Sequence, residues 1–465
     1  MPDRLSALDA SFLYLEDSTT PMHVGGVAVF RRPRSGFDYD RLVGLIEQRL
    51  GLVPRYRQRV TQVPGRLARP VWTDDPDFDI TYHVRRSALP KPGSEHQLHE
   101  LVARLMSRPL DHTRPLWEVY LVEGLARNRA AVITKTHQAM VDGAGAIDLT
   151  QVILDVSPSP RKADAELWMP QPEPSTAQLV LDAMAEIVQR PGELVENMRA
   201  AALDAAATVR KVGDAVGGLA SALGTAYRPA PGSPLNSRIG TQRRYAVART
   251  RLEDYRAVRR RHGGTVNDVI LTVLTGALRT WLLSRGEAVT SSTTIRAMVP
   301  LSIRETEPGD GVAGNKVSSY LLDLPVGEPN AVVRLHHVSH AMRAHQESGQ
   351  SVAADALVRL SGFAPPTLHA LGARAASSFS RRIFNLVVTN VPGPQVPLYA
   401  AGARMMEMFP VVPLAMNQAL SIGVTSYDGG VYFGLNADRD AMSDVDVLAS
   451  MVEESLEELV GAVSA

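Results

Sequence analysis

The sequence predicts an α/β protein built as two halves of comparable size joined by a long helical segment. Three observations carry this. Short apolar runs of strand length alternate with helix-length amphipathic stretches near both ends of the chain. Proline-rich passages bound a central alanine-rich block. The 465 residues exceed what one ordinary hydrophobic core takes up. With 45% hydrophobic and 21% charged residues, the composition is that of a globular protein.

In the first half, residues 1–156, Val24–Phe30 reads as a strand, Tyr39–Leu50 as a helix and Pro70–Trp72 as a short strand. A helix over Gln97–Ser107 follows, and then the apolar runs Trp117–Glu123 and Ala130–Thr136, close enough to pair. Residues 157–240 form the linker, opened by SPSPRK and MPQPEPS and closed by RPAPGSPLN. Proline is costly inside regular elements, so both ends are irregular.

Within the linker, Leu194, Met198, Ala202, Ala205, Val209, Val212, Val216, Leu219 and Leu223 fall at helical spacing, and Pro191-Gly192 predicts a break before them. The mixed charges beside this stripe favour packing on the protein's own surface over docking to lipid.

The second half, residues 241–465, repeats the alternation. Strands are expected at Tyr245–Ala248, Thr294–Val299, Lys316–Leu324, Phe384–Thr389, Ala419–Tyr427 and Val431–Leu435. Helices are expected at Glu253–Arg261, Val266–Leu283, Asn330–Glu347 and Asp444–Val463.

Lysine plus arginine and aspartate plus glutamate both total 49, so no whole-chain field favours nucleic acid, and no nucleic-acid partner is expected. The absence of cysteine excludes disulfides, thiolate metal sites and a cysteine nucleophile, and fits a reducing compartment. Asp3, Arg4, Asp9, Glu16 and Asp17 interrupt the N-terminal stretch, which lacks the apolar block of a secretory signal. No apolar run reaches the roughly eighteen residues of a membrane span. The expectation is a cytoplasmic protein that meets lipid from the aqueous side.

The stretch KTHQAMVDG, Lys135 to Gly143, places His137 where an apolar strand passes into a loop. A histidine there is held by the sheet yet able to face a cavity, and its ordinary titration range suits general-base work. Asp142 can orient such an imidazole or hold the turn through backbone amides.

Other blocks accompany it in order: Arg114–Leu125 with Pro115-Leu116-Trp117, Thr265-Val-Asn267-Asp268, Val299-Pro-Leu-Ser302, Gly314-Asn315-Lys316 and Thr389-Asn390-Val-Pro392-Gly393-Pro394. With the opening LDASFLYLED and the late PLAMNQALSIGVTSYDGGVYFGLNADRD, they resemble the bacterial wax ester synthase/diacylglycerol acyltransferase family over nearly the whole chain.

That resemblance implies two chloramphenicol-acetyltransferase-like domains, as in condensation domains, enclosing a tunnel at their interface. It implies acyl-CoA as co-substrate, diacylglycerol or a long-chain alcohol as acceptor, direct transfer, no cofactor or metal, and peripheral attachment to a membrane or lipid body. A more distant alternative is a different acceptor, such as a hydroxyl on a cell-envelope lipid or polyketide.

The family loop reads His-His-x-x-x-Asp-Gly, its second histidine being the general base. Aligned on Asp142-Gly143, His137 takes the first place and Gln138 the second. Glutamine has no nitrogen that titrates near neutrality, so it cannot be that base. Consecutive side chains of an extended segment also point to opposite faces, which aims His137 away from where Gln138 points. Three readings follow: a shifted loop that lets His137 reach the hydroxyl, a slow enzyme in which Gln138 only positions it, or a scaffold that binds acyl-CoA or lipid without transfer.

The remaining motifs each have two roles open. Pro115-Leu116-Trp117 is expected to pack beside the loop. Asp268 can cap the helix that starts at Val266, while the resemblance puts Asn267 and Asp268 at the domain interface. Pro392-Gly393-Pro394 is a rigid crossover turn. Thr389, Asn390, Ser302 and Asn315 are candidates to line the tunnel, the first two as oxyanion donors. Arg259–His262 could meet coenzyme A phosphates or simply end a helix.

His336, His337 and His340 lie on a charged helical stretch without the third ligand of a zinc site, and His96 and His99 read as exposed. Neither a Gly-x-Ser-x-Gly elbow nor a phosphate-binding glycine loop occurs, against a serine hydrolase or a nucleotidase.

Overall fold

The computed structural model describes residues 3–141, 152–161, 168–189, 229–303, 316–348 and 383–464. The break at Pro191-Gly192 and the stripe from Leu194 to Leu223 lie outside the described residues, as do Asp142, Gly143 and Asn315.

The first half opens with helix α1 (Ala7–Leu15), strand β1 (His23–Arg31), helix α2 (Tyr39–Arg49) and the small hairpin β2 (Gln58–Thr61) and β3 (Val71–Asp74). After the single turn α3 (Ile80–His83) come β4 (Val84–Ala88), α4 (Glu95–Met106), β5 (Trp117–Leu125) and β6 (Arg129–His137). In the linker, α5 spans Thr176–Gln189.

The second half runs β7 (Arg243–Arg251), α6 (Leu252–His262), α7 (Val266–Ser284), β8 (Ile295–Ile303), β9 (Lys316–Leu324) and α8 (Ala331–Ser348). It closes with β10 (Leu386–Pro392), β11 (Tyr399–Ala400), β12 (Ala403–Val411), β13 (Leu420–Tyr427), β14 (Gly430–Asp438) and α9 (Val445–Ser464).

Local chemistry sets the helix starts. Ser6 accepts the Asp9 amide at 3.0 Å to cap α1, and Asp38 accepts the Arg41 amide at 3.1 Å to cap α2. Ser94 and Gln97 form a reciprocal capping box on α4, as Thr265 and Asp268 do on α7.

Two six-stranded sheets form, in the orders β11-β12-β1-β6-β5-β4 and β7-β14-β13-β10-β8-β9. The sequence division is therefore corrected at one place. The first sheet is not made by residues 1–156 alone, because β11 and β12 cross from the second half and β12 pairs antiparallel with β1.

Every residue of β6 after Arg129 is buried, as a central strand between β1 and β5 requires. The β5–β6 hairpin turns through Arg127 and Asn128, both left-handed at φ 62° and 53°. Helix α7 forms the core of the second half, with Leu271, Val273, Ala277, Leu278 and Trp281 fully enclosed. It is long and apolar enough to pass for a membrane span, but 72% of that window is buried inside the protein.

The halves meet through α4 and β12. Arg249 of β7 reaches Glu95 of α4 at 2.8 Å and Glu407 of β12 at 2.8 Å. Tyr245 donates its hydroxyl to the Pro410 carbonyl at 3.0 Å. His99, expected to be exposed, is half-buried edge-on to Tyr245, and burial together with Arg249 pushes its pKa down to about 4.

Candidate active site

The loop that carries His137 and Gln138 is held from three sides. The His137 amide donates to the Leu116 carbonyl at 2.9 Å, so Pro115-Leu116-Trp117, all buried, forms one wall. Trp117 is fixed in turn by its indole N–H on the Tyr56 carbonyl at 2.7 Å and by stacking on His83 at 4.5 Å. The Gln138 amide donates to the Met22 carbonyl at 2.9 Å, and α1 packs against the turn Gln138–Met140. In the sheet, His137 lies opposite His23.

The His137 ring is fully buried. Its Nδ1 accepts the Ala139 amide proton at 3.1 Å, capping the short turn that follows. Nδ1 is then the unprotonated nitrogen, and the ring proton sits on Nε2. Nε2 lies 3.4 Å from Oε2 of Glu16, a residue whose side chain is only 8% exposed. The half-exposed His112 brings its Nε2 to 2.7 Å from the same oxygen.

Burial alone would raise the Glu16 pKa, but His112 and His137 outweigh it and hold the carboxyl well below the usual carboxylate range. The ion pair with Glu16 raises the pKa of His112 in return, against the opposing effect of its partial burial.

Glu16, His112 and His137 are residue types that also ligate transition metals, and their ligand atoms lie within 4.8 Å of one another. The geometry suits protons better than an ion. A ligating histidine donates from its other ring nitrogen, whereas His137 Nδ1 accepts there. Ligands about 2.0–2.2 Å from one metal sit roughly 3.3 Å apart, and Glu16 and His112 are closer, at 2.7 Å.

Around the trio, His23 is buried with Nε2–H on the Met106 carbonyl at 2.8 Å, and burial followed by the Lys135 charge pushes its pKa down to about 3. Lys135 is itself buried, with its ammonium on the Arg108 carbonyl at 2.5 Å and 3.5 Å from Glu118.

The structure brings a second group together at the start of α7. Asn390, in β10, donates from Nδ2 to Oδ1 of Asn267 at 3.0 Å. Asp268 is occupied as a cap, accepting the Thr265 amide at 2.8 Å. Thr389 and Asn390 are half-buried, while Pro392 and Pro394 are exposed. Gly393 packs so closely that a Cβ there would lie 2.3 Å from the Ser426 carbonyl oxygen. Ser302 lies in β8 opposite Val317.

Sequence reasoning assigned no role to Glu16 or His112. Glu16 entered only as one of the charges that interrupt the N-terminal stretch and as a member of the LDASFLYLED block, and His112 had no signal.

Comparison with known proteins agrees with this architecture. Residues 5–270 match the wax ester synthase/diacylglycerol acyltransferase catalytic domain, and residues 313–460 match the C-terminal domain of the same family. A probable diacylglycerol O-acyltransferase, tgs3, of Mycobacterium tuberculosis is 48% identical over 56% of this chain and 97% of its own length. Another from that organism, tgs1, is 35% identical over 98% of this chain and 96% of its own.

The wax ester synthase/diacylglycerol acyltransferase of Marinobacter aquaeolei VT8 superposes over the full length of both chains with a TM-score of 0.72 at 28% identity. The starter condensation domain of rhizomide synthetase, at 14% identity and a TM-score of 0.57 over 100% of this chain and 95% of its own, shares the two-domain α/β fold. On these matches the chain belongs to the wax ester synthase/diacylglycerol acyltransferase family, a family of acyltransferases.

Proposed function

We propose that the protein is an acyl-CoA-dependent O-acyltransferase that makes triacylglycerol from diacylglycerol, or wax esters from long-chain alcohols, at the cytoplasmic face of a membrane or lipid body. The observation that carries the mechanism is the locked His137 ring, with Nδ1 on the Ala139 amide and Nε2 facing Glu16. His137 thus holds the loop, and half-buried Gln138 is the residue left to meet the acceptor.

In this reading Gln138 accepts a hydrogen bond from the acceptor hydroxyl and orients its oxygen toward the thioester carbonyl carbon. The new C–O bond forms, the C–S bond breaks, and the hydroxyl proton ends on the departing thiolate as free coenzyme A. Asn390 and Asn267 are the candidate donors toward the developing oxyanion, with Thr389 and Ser302 as further candidates to line the tunnel. No cofactor or metal takes part. Without a general base the rate falls by about two to four orders of magnitude, so the enzyme is slow.

The second reading, an acyl-CoA or lipid-binding homologue, is favoured by the same locked imidazole, since it removes the loop's only titratable nitrogen. The test is to incubate purified protein with labelled palmitoyl-CoA and either diacylglycerol or hexadecanol, following ester and free thiol together. Ester and thiol appearing in equal amounts, above a protein-free control, supports transfer. Saturable palmitoyl-CoA binding without thiol release makes the binding reading the correct one.

A further inference from the structure

Glu16 reaches the backbone that carries Gln138 along two separate routes. Its Oε1 accepts the Met22 amide at 3.2 Å, and the Met22 carbonyl accepts the Gln138 amide at 2.9 Å. Its Oε2 lies 3.4 Å from Nε2 of His137, whose Nδ1 holds the Ala139 amide on the far side of Gln138. One carboxylate thus lies behind the peptide units on both sides of the residue at the general-base position, through a hydrogen bond on the first route and a 3.4 Å approach on the second.

A nearly buried carboxylate needs compensation to remain ionised. His112 supplies it at 2.7 Å, with 46% of its side chain open to solvent.

We propose that Glu16 is the positioning residue of the Gln138 loop, with His112 as its compensating cation, setting where the Gln138 carboxamide meets the acceptor hydroxyl. The proposal rests on the acyltransferase reading for its kinetic consequence and on geometry alone for its structural one. In this proposal both residues act through the loop rather than on the substrate. The clamp acts on orientation, so its loss lowers the rate of the bound complex and leaves acyl-CoA affinity in place.

The experiment compares the full-length protein with Glu16→Gln, His112→Ala and His112→Lys. It measures palmitoyl-CoA kinetics and hydrogen exchange of the peptide containing Thr136–Val141. Glu16→Gln is expected to lower kcat about tenfold or more, with KM within about twofold, and to speed exchange at this peptide about tenfold while β5 and α4 stay protected. His112→Ala is expected to do the same more weakly, and His112→Lys to restore both readouts.

If Glu16→Gln leaves kcat and local exchange within twofold of the parent, or speeds exchange equally across the first sheet, the proposal is overturned. If Glu16→Gln does not fold, the His112 pair decides, because a lysine that fails to restore what alanine removes also overturns it. A parent without turnover defeats the acyltransferase reading, and the exchange data still decide whether Glu16 positions the loop.

Discussion

Asn390 donates a hydrogen bond to Asn267 at 3.0 Å, joining the end of β10 to the first turn of α7. Because each side chain is the other's partner, replacing either with alanine removes the same interaction. The two single variants and the double variant, unfolded in urea, should show a coupling of about 0.5–1.5 kcal/mol. Additive losses would mean that the pair is independent.

Pro410 of β12 lies so close to β14 that a Cβ on Gly434 would sit 1.8 Å from its carbonyl oxygen and 2.6 Å from the Tyr245 hydroxyl. Gly434→Ala should cost about 2 kcal/mol or more, because backbone of the crossing strand must move. Gly44, in the middle of α2, has open space around it, and Gly44→Ala should stabilise by about 0.5–1 kcal/mol. Thermal melts of the two variants should shift in opposite directions.

The paired elements of one half were legible because their signals are local. The runs Trp117–Glu123 and Ala130–Thr136 are each strand-length and separated by a tight turn, and they form β5 and β6. Strand β12 was not legible. ARMMEMFPV carries Glu407 and Pro410, and its pairing with β1 is set by contacts most of the chain away. Helix α1 escaped notice because its short apolar stretch gives little amphipathic contrast.

In the candidate site, His137 could be placed at the strand end from its neighbours alone. Its orientation toward Glu16 depends on α1 folding back onto the loop, which no spacing rule encodes. The ring is buried and Gln138 half-buried, but Gln138 already opens the short helical turn Gln138–Met140, where the alternation of an extended strand no longer applies.

Arg249 is the cation shared by Glu95 and Glu407 across the two halves. Arg249→Met should leave Glu407 without this cation, while Glu95 keeps Arg129 at 2.9 Å, and cost about 1 kcal/mol, the groups being part-exposed. Adding Glu407→Gln to that variant should recover part of the loss. Denaturant midpoints check both.

The Glu16–His112 pair makes stability depend on pH in a definite direction. The His112 pKa is raised from 6.5, so its contribution is complete below about 6.5 and lost as pH rises through the raised value. The Glu16 pKa is depressed from 4.5, so its contribution is present above about 4.5 and lost as pH falls through the lowered value. The parent should therefore exceed His112→Ala in stability most clearly between pH values of about 5 and 6.5. The gap should be about 1 kcal/mol or less, given the solvent screening of His112, and should close as pH rises through the raised His112 value. Urea midpoints below and above that value test it.

The central claim is that this scaffold transfers acyl groups with Gln138 orienting the acceptor and His137 holding the loop. The most direct test is turnover of palmitoyl-CoA and diacylglycerol by the parent and by Gln138→His. The account predicts slow but measurable triacylglycerol formation by the parent and a rise of about two to four orders of magnitude on restoring an imidazole at that position. A parent indistinguishable from the protein-free control, beside an active Gln138→His variant, would contradict it, and the binding reading would then take the lead.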